Sequence, residues 1–193
     1  MVRRMVCGLC AGVVLAASLA SAQTMGQPER FTAWAVNMGT IGTGANSTVQ
    51  IQIDRWSTDA EREALINTFL EQGPDKLLSA LQKNRKVGFI RLPNSLGYDL
   101  RFARAVEGED GGRRIIIATD RRISFQEARS QARTMDYPFT LIEMRLNKDG
   151  EGEGKMAVAT KITLNKKTNT VELENYSSEP VRLQNVRAEP IKK

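Results

Sequence analysis

Alternation of hydrophobic and polar residues predicts antiparallel strands over most of this chain. The clearest case is residues 48–54, where Val49, Ile51 and Ile53 share one face and polar residues share the other. A period of two with one polar face is typical of a sheet that exposes one side to water. Short turns separate about nine such segments. They are residues 31–38, 48–54, 87–92, 96–106, 113–119, 138–147, 155–164, 171–174 and 181–187.

Between the second and third predicted strands the pattern changes to a helical period. Thr58 and Glu61 have the spacing of a capping box, and apolar residues then recur three and four positions apart. Gly73 can end a first helix, and Pro74 fits the first turn of a second. The sequence therefore predicts a helical hairpin at about residues 58–84, inserted into the sheet.

Together these elements predict an α+β fold dominated by β structure, in a single domain at residues 31–188. An antiparallel sheet of about nine strands must bury one face. We expect it to close into a barrel or to curve strongly, although two packed sheets are also compatible with the alternation, which does not contain the strand order. The helical hairpin would plug an open end or cover one face.

The first 22 residues have the order of a signal peptide. Arg3 and Arg4 precede an apolar run at residues 7–17, and small residues follow up to Ala22, where we place the cleavage site. The apolar run is shorter than the roughly 20 residues that span a bilayer, so no transmembrane segment is expected after cleavage. The protein is predicted to be exported, either to the periplasm or to the medium, with residues 23–30 forming a loose N-terminal segment.

Two residue types are missing from the mature part, and this restricts its chemistry. The only cysteines, Cys7 and Cys10, lie in the predicted signal peptide, and the chain has no histidine. Disulfides, thiolate or imidazole metal ligands, and catalysis based on cysteine or histidine are therefore excluded from the mature protein. We predict no metal ion, no cofactor and no catalytic residue.

The charge of the chain gives a weaker indication of its partners. The net charge is +6, and it falls to +4 without Arg3 and Arg4. The basic residues are spread along the sequence rather than clustered, and an exported protein does not meet cytoplasmic nucleic acid, so nucleic-acid binding is not expected. An anionic envelope surface is the more natural electrostatic partner.

Four residues are candidates for a ligand-binding site. Alternation places Tyr98, Phe102 and Arg104 on one face of the strand predicted at residues 96–106, and Glu143 on an apolar face of the strand at 138–147. A charge on an apolar face is costly unless it is paired or reaches solvent. Arg104 and Glu143 would therefore either pair in a polar ligand pocket or lie at a bulge or strand end with their side chains in water.

Two segments resemble those of a family of small exported bacterial proteins whose function is unknown. One is residues 135–146, with the sequence MDYPFTLIEMRL, and the other is the strand-to-helix junction at residues 48–61. The resemblance implies export and identifies no site residue.

These observations leave three hypotheses about function. The first is an exported, non-catalytic binding protein that carries a small apolar or amphipathic ligand inside the barrel. The alternative is a structural or envelope-interaction protein that acts through a basic surface. The third is an enzyme that uses paired carboxylates. Its candidate residues are Asp99, Asp120, Asp136 and Glu143.

Overall fold

The structure is a computed structural model that describes residues 26–36, 47–93, 97–108, 111–121, 139–165, 170–175 and 180–191. Within these ranges the chain forms ten strands and two helices. In chain order they are β1 (Glu29–Val36), β2 (Ser47–Ile53), α1 (Asp59–Gln72), α2 (Pro74–Lys83), β3 (Gly88–Arg91), β4 (Tyr98–Leu100), β5 (Phe102–Glu107), β6 (Arg113–Thr119), β7 (Phe139–Leu146), β8 (Glu151–Asn165), β9 (Thr170–Asn175) and β10 (Val181–Pro190). The predicted signal peptide and Asp136 lie outside the described residues.

The strands form one antiparallel sheet that curves into a nearly closed barrel. Its order is β4-β3-β2-β1-β10-β8-β7-β6-β5, and β9 pairs with β8 off this path. The two end strands of that order, β4 and β5, are joined in the chain by Arg101 alone, whose backbone N–H donates to the carbonyl of Ala118 on β6. The predicted β-dominated α+β fold with an inserted helical hairpin is confirmed.

The segment at residues 96–106 is not one uninterrupted strand with one apolar face, and that prediction was wrong. Tyr98 and Leu100 pack against the barrel interior, whereas Phe102 packs with the helices on the outside. The side-chain alternation shifts at Arg101, where the chain stops pairing with β3 and begins to pair with β6. Such a shift is typical of an irregularity in a strongly bent strand.

Inward side chains from the strands around the barrel fill its interior. Phe31, Ile51, Ile117, Ile142 and Leu183 are almost completely buried and belong to one cluster of contacting residues. Branched and aromatic residues at inward positions are what a small barrel needs to close without a channel.

The helical hairpin covers part of the outer face. Thr58 and Glu61 form the predicted capping box, and Gly73, with a φ of 87°, separates α1 from α2 at Pro74. Leu81 packs against outward residues of β6 and β7, including Ala118 and Phe139. Neither helix in the described part of the chain is long and apolar enough to cross a membrane.

Candidate functional site

A polar groove with a volume of about 350 Å³ lies on the outer face of β7, β8 and β10. Along β7, Ile142 and Met144 point into the barrel, so the residues that alternate with them point outward. The polar residues that line the groove are Glu143, Arg145, Glu153, Lys155, Arg182 and Gln184, with Gly154 and Leu183 between them.

Strand register brings the charged residues of the groove into rows across the sheet. Arg182 on β10 is the Cα partner of Lys155 on β8, and Lys155 is in turn the partner of Glu143 on β7. Residues that are directly opposite in an antiparallel pair lie on the same face with their Cβ atoms about 5 Å apart. The three side chains therefore project side by side from the outer surface.

Two pairs of like charges face each other directly on this surface, and the first is Arg114 with Arg145. Both guanidinium groups bind the carboxylate of Glu143, Arg114 Nε at 2.9 Å and Arg145 Nε at 3.0 Å from its Oε1. The carboxylate bridges the two cations and offsets their mutual repulsion.

The second pair, Lys155 and Arg182, has no such bridge. Neither side chain forms an ion pair with any residue in the described part of the chain. Like charges directly opposite each other in a sheet are destabilising, by a few tenths of a kcal/mol up to about 1 kcal/mol. The groove thus contains two adjacent cations that no carboxylate bridges, although Glu143 faces Lys155 from β7.

The electrostatic surroundings of Glu143 keep it ionised. Partial burial alone would raise the pKa of its carboxyl group, but the hydrogen bonds and charges of Arg145 and Arg114 together bring the pKa below the ordinary value of 4.5. Glu143 therefore remains a negative bridge unless the solution is distinctly acidic.

The structure separates the four candidates from the sequence. Arg104 and Glu143 lie in one row on the outer face, but Ile116 stands between them as the partner of both. Arg104 Nη1 binds Asp59 Oδ1 on α1 at 2.5 Å instead. Tyr98 and Phe102 lie on opposite sides of the sheet. Of the four candidates, only Glu143 lines the groove. The ligand-binding role of the other three residues stays a prediction.

The carboxylates proposed for an enzyme are likewise dispersed among different partners. Asp99 binds Lys86 at 2.6 Å, and Asp120 binds Arg101 at 3.2 Å in a largely buried position. Glu143 belongs to the bridge described above. The described residues contain no group of three or more His, Cys, Asp or Glu side chains that could hold a metal ion.

Sequence reasoning did not single out Lys155 and Arg182. Alternation with Met156, Val181 and Leu183 does place both on the polar face of their strands. Nothing in the sequence, however, indicates that β8 pairs with β10 in the register that sets these two cations opposite each other.

The chain matches no protein-family model, and it has no significant match among curated proteins or solved structures. The resemblance of residues 135–146 and 48–61 to a family of exported proteins therefore stays a prediction.

Proposed function

We propose that this protein is an exported, non-catalytic binding protein that holds an anionic group in the groove formed by β7, β8 and β10. The observation that carries the proposal is the unbridged pair of cations, Lys155 and Arg182, beside a pair that Glu143 bridges. An anion between Lys155 and Arg182 would take the part that Glu143 takes between Arg114 and Arg145. Hydrogen bonds between charged partners are the strong ones, and a concave site favours them.

This proposal follows the hypothesis of a basic interaction surface rather than that of an internal carrier. A carrier needs an empty apolar cavity of at least about 300 Å³. The inward side chains of the described strands instead contact one another in one cluster, from Phe31 on β1 to Val186 on β10. The export part of the proposal rests on the signal-peptide pattern at residues 1–22.

The double variant Lys155→Gln/Arg182→Gln tests the anion site. We expect its affinity for inorganic sulfate or phosphate to fall about tenfold or more, because the two charge-assisted contacts are lost. Without anion the same variant should be as stable as the wild type or more stable by up to about 1 kcal/mol, because the opposed charges are gone. Both quantities come from thermal unfolding in increasing anion concentration.

Lys76→Gln/Lys83→Gln is the matched control, since it removes two positive charges from exposed positions on α2. It should leave the response to anions unchanged. An equal response to sulfate in the wild type and the double variant would reject the proposed site.

Glu143→Gln should act in the opposite direction on binding. Removal of the bridge leaves Arg114 and Arg145 as a second pair of cations without an anion, so the affinity for sulfate should rise. The free protein should lose about 0.5–1 kcal/mol near neutral pH. Because the pKa of Glu143 is lowered in the folded state, its contribution is present above pH 4.5 and is lost as the pH falls through the lowered pKa.

Urea unfolding at a series of pH values measures the difference in stability between Glu143→Gln and the wild type. This difference should shrink toward zero in acid. Glu71→Gln, on the exposed side of α1, controls for the change in net charge. Weaker sulfate binding by Glu143→Gln would show that the carboxylate supports the site rather than competing with an anion.

A further inference from the structure

An exposed tryptophan lies on β1, the strand that pairs with β10 of the groove. Trp34 on β1 has 49% of its surface exposed, although a tryptophan gains more than most residues from burial. Trp56, the other tryptophan of the chain, packs against the core and donates its indole N–H to the carbonyl of Gln27 at 2.8 Å. Packing and hydrogen bonding account for the position of Trp56, but they do not account for the exposure of Trp34.

Strand pairing places Trp34 next to a residue of the polar groove. Its Cα partner on β10 is Gln184, which lines the groove, and Arg182 follows two residues further along the same face of β10. The strand spacing and rise put the Cα atoms of Trp34 and Arg182 about 8 Å apart. One ligand of the size of a sugar ring can touch both side chains.

The polar residues of the groove define what such a ligand must carry. Lys155 and Arg182 require an anionic group. The carboxylate of Glu153 forms no ion pair with the described residues, and like the carbonyl oxygen of Gln184 it accepts hydrogen bonds. A ligand that satisfies the whole groove therefore has both a negative group and hydroxyl donors, together with a flat or apolar ring face for Trp34.

We propose that the ligand is an acidic sugar residue of a glycan, with its ring on Trp34 and its carboxylate or sulfate between Lys155 and Arg182. This assignment rests on the proposed function above and adds the class of ligand. Its hydroxyl groups donate to Glu153 and Gln184. The sugar–phosphate backbone of DNA fits less well, because within a strand it offers no hydroxyl donor to Glu153 and Gln184.

Oligogalacturonate is a suitable probe, with an uncharged oligosaccharide of equal length as its counterpart. In the mature protein carrying Trp56→Phe, all tryptophan fluorescence comes from Trp34. Oligogalacturonate should change the intensity and shift the emission to shorter wavelength, because the sugar ring displaces water from the indole. The uncharged oligosaccharide should have little effect at the same concentration.

Trp34→Ala should lower the affinity for oligogalacturonate about threefold to tenfold while the affinity for inorganic sulfate stays the same. Leu70→Ala is the matched control, because Leu70 is 55% exposed on α1 and lies on a different element from the groove. Isothermal titration calorimetry on the mature protein measures both affinities.

The outcomes separate the two proposals. If Lys155→Gln/Arg182→Gln weakens oligogalacturonate binding and Trp34→Ala does not, the sugar assignment is overturned and the anion site remains. If neither variant changes the binding of any anion, both proposals are overturned. If a single-stranded oligonucleotide of equal charge binds more tightly than oligogalacturonate and depends on Trp34, the ligand is a nucleic acid and the sugar assignment is wrong.

Discussion

Glu29→Ala is expected to lower the free energy of unfolding by about 3 kcal/mol, because it leaves the Arg113 guanidinium buried without its partner. Glu29 Oε1 accepts a hydrogen bond from Arg113 Nη1 at 2.8 Å, and the two side chains are only 5% and 17% exposed. The residues belong to β1 and β6, which are four positions apart in the strand order, so the ion pair connects distant strands of the barrel.

The pair is also incompletely satisfied, since Oε2 of Glu29 is buried without a hydrogen-bond partner. Apolar replacement of a whole buried ion pair is often neutral or stabilising, while removal of one member is costly. The double variant Glu29→Met/Arg113→Leu should therefore recover most of the stability that Glu29→Ala loses. Guanidinium unfolding of these variants, with the exposed Glu189→Ala as control, measures both effects.

A loss of less than about 1 kcal/mol in Glu29→Ala would indicate a pair that is accessible to water. If the double variant does not recover the lost stability, the ion pair itself stabilises the arrangement of β1 and β6, and apolar side chains cannot replace it.

Those parts of the fold that depend on neighbouring residues could be predicted from the sequence. The capping box of Thr58 and Glu61 and the break at Gly73 and Pro74 follow from residues within a few positions of one another. Alternation also identified β2 nearly to the residue, because it buries one face. The apolar run at residues 115–117 indicated β6, whose bounds match the prediction.

The features that depend on closure of the barrel could not be predicted in this way. The shift of alternation at Arg101 arises because β4 pairs with β3 while β5 pairs with β6, and neither pairing is visible in residues 96–106. For the same reason, the distance between Arg104 and Glu143 could not be predicted. Arg104 was predicted on the face of Tyr98, but it lies on the outer face with Phe102 and Glu143, and Ile116 of β6 comes between Arg104 and Glu143.

In the candidate groove, the outward direction of the side chains could be predicted from the sequence, but their arrangement across strands could not. The alternation of Phe31, Ala33 and Ala35 already places Trp34 on the outer face, and a similar pattern does so for Arg182. The chemistry, however, comes from the pairing of β10 with both β1 and β8. Each of these residues is an ordinary polar or aromatic surface residue until that register is known.

Gly152→Ala tests the register on which the groove depends, and we expect it to cost about 3 kcal/mol. Gly152 on β8 lies between Leu146 of β7 and Val186 of β10, and a Cβ atom there would overlap the backbone carbonyl oxygen of Arg145. Backbone cannot move aside as a flexible side chain does, so β7 and β8 must separate or slip. Gly26→Ala is the control, because its added Cβ would meet no atom within 4 Å.

The effect of Gly152→Ala should extend to binding. A slip of one residue along β8 would turn Lys155 away from the outer face, because successive side chains in a strand point to opposite sides. Sulfate should then stabilise Gly152→Ala much less than it stabilises Gly26→Ala in thermal unfolding. Wild-type stability together with a wild-type response to sulfate would mean that β7 and β8 do not approach closely at Gly152. The register that places Lys155 beside Glu143 and opposite Arg182 would then be wrong, and with it the groove.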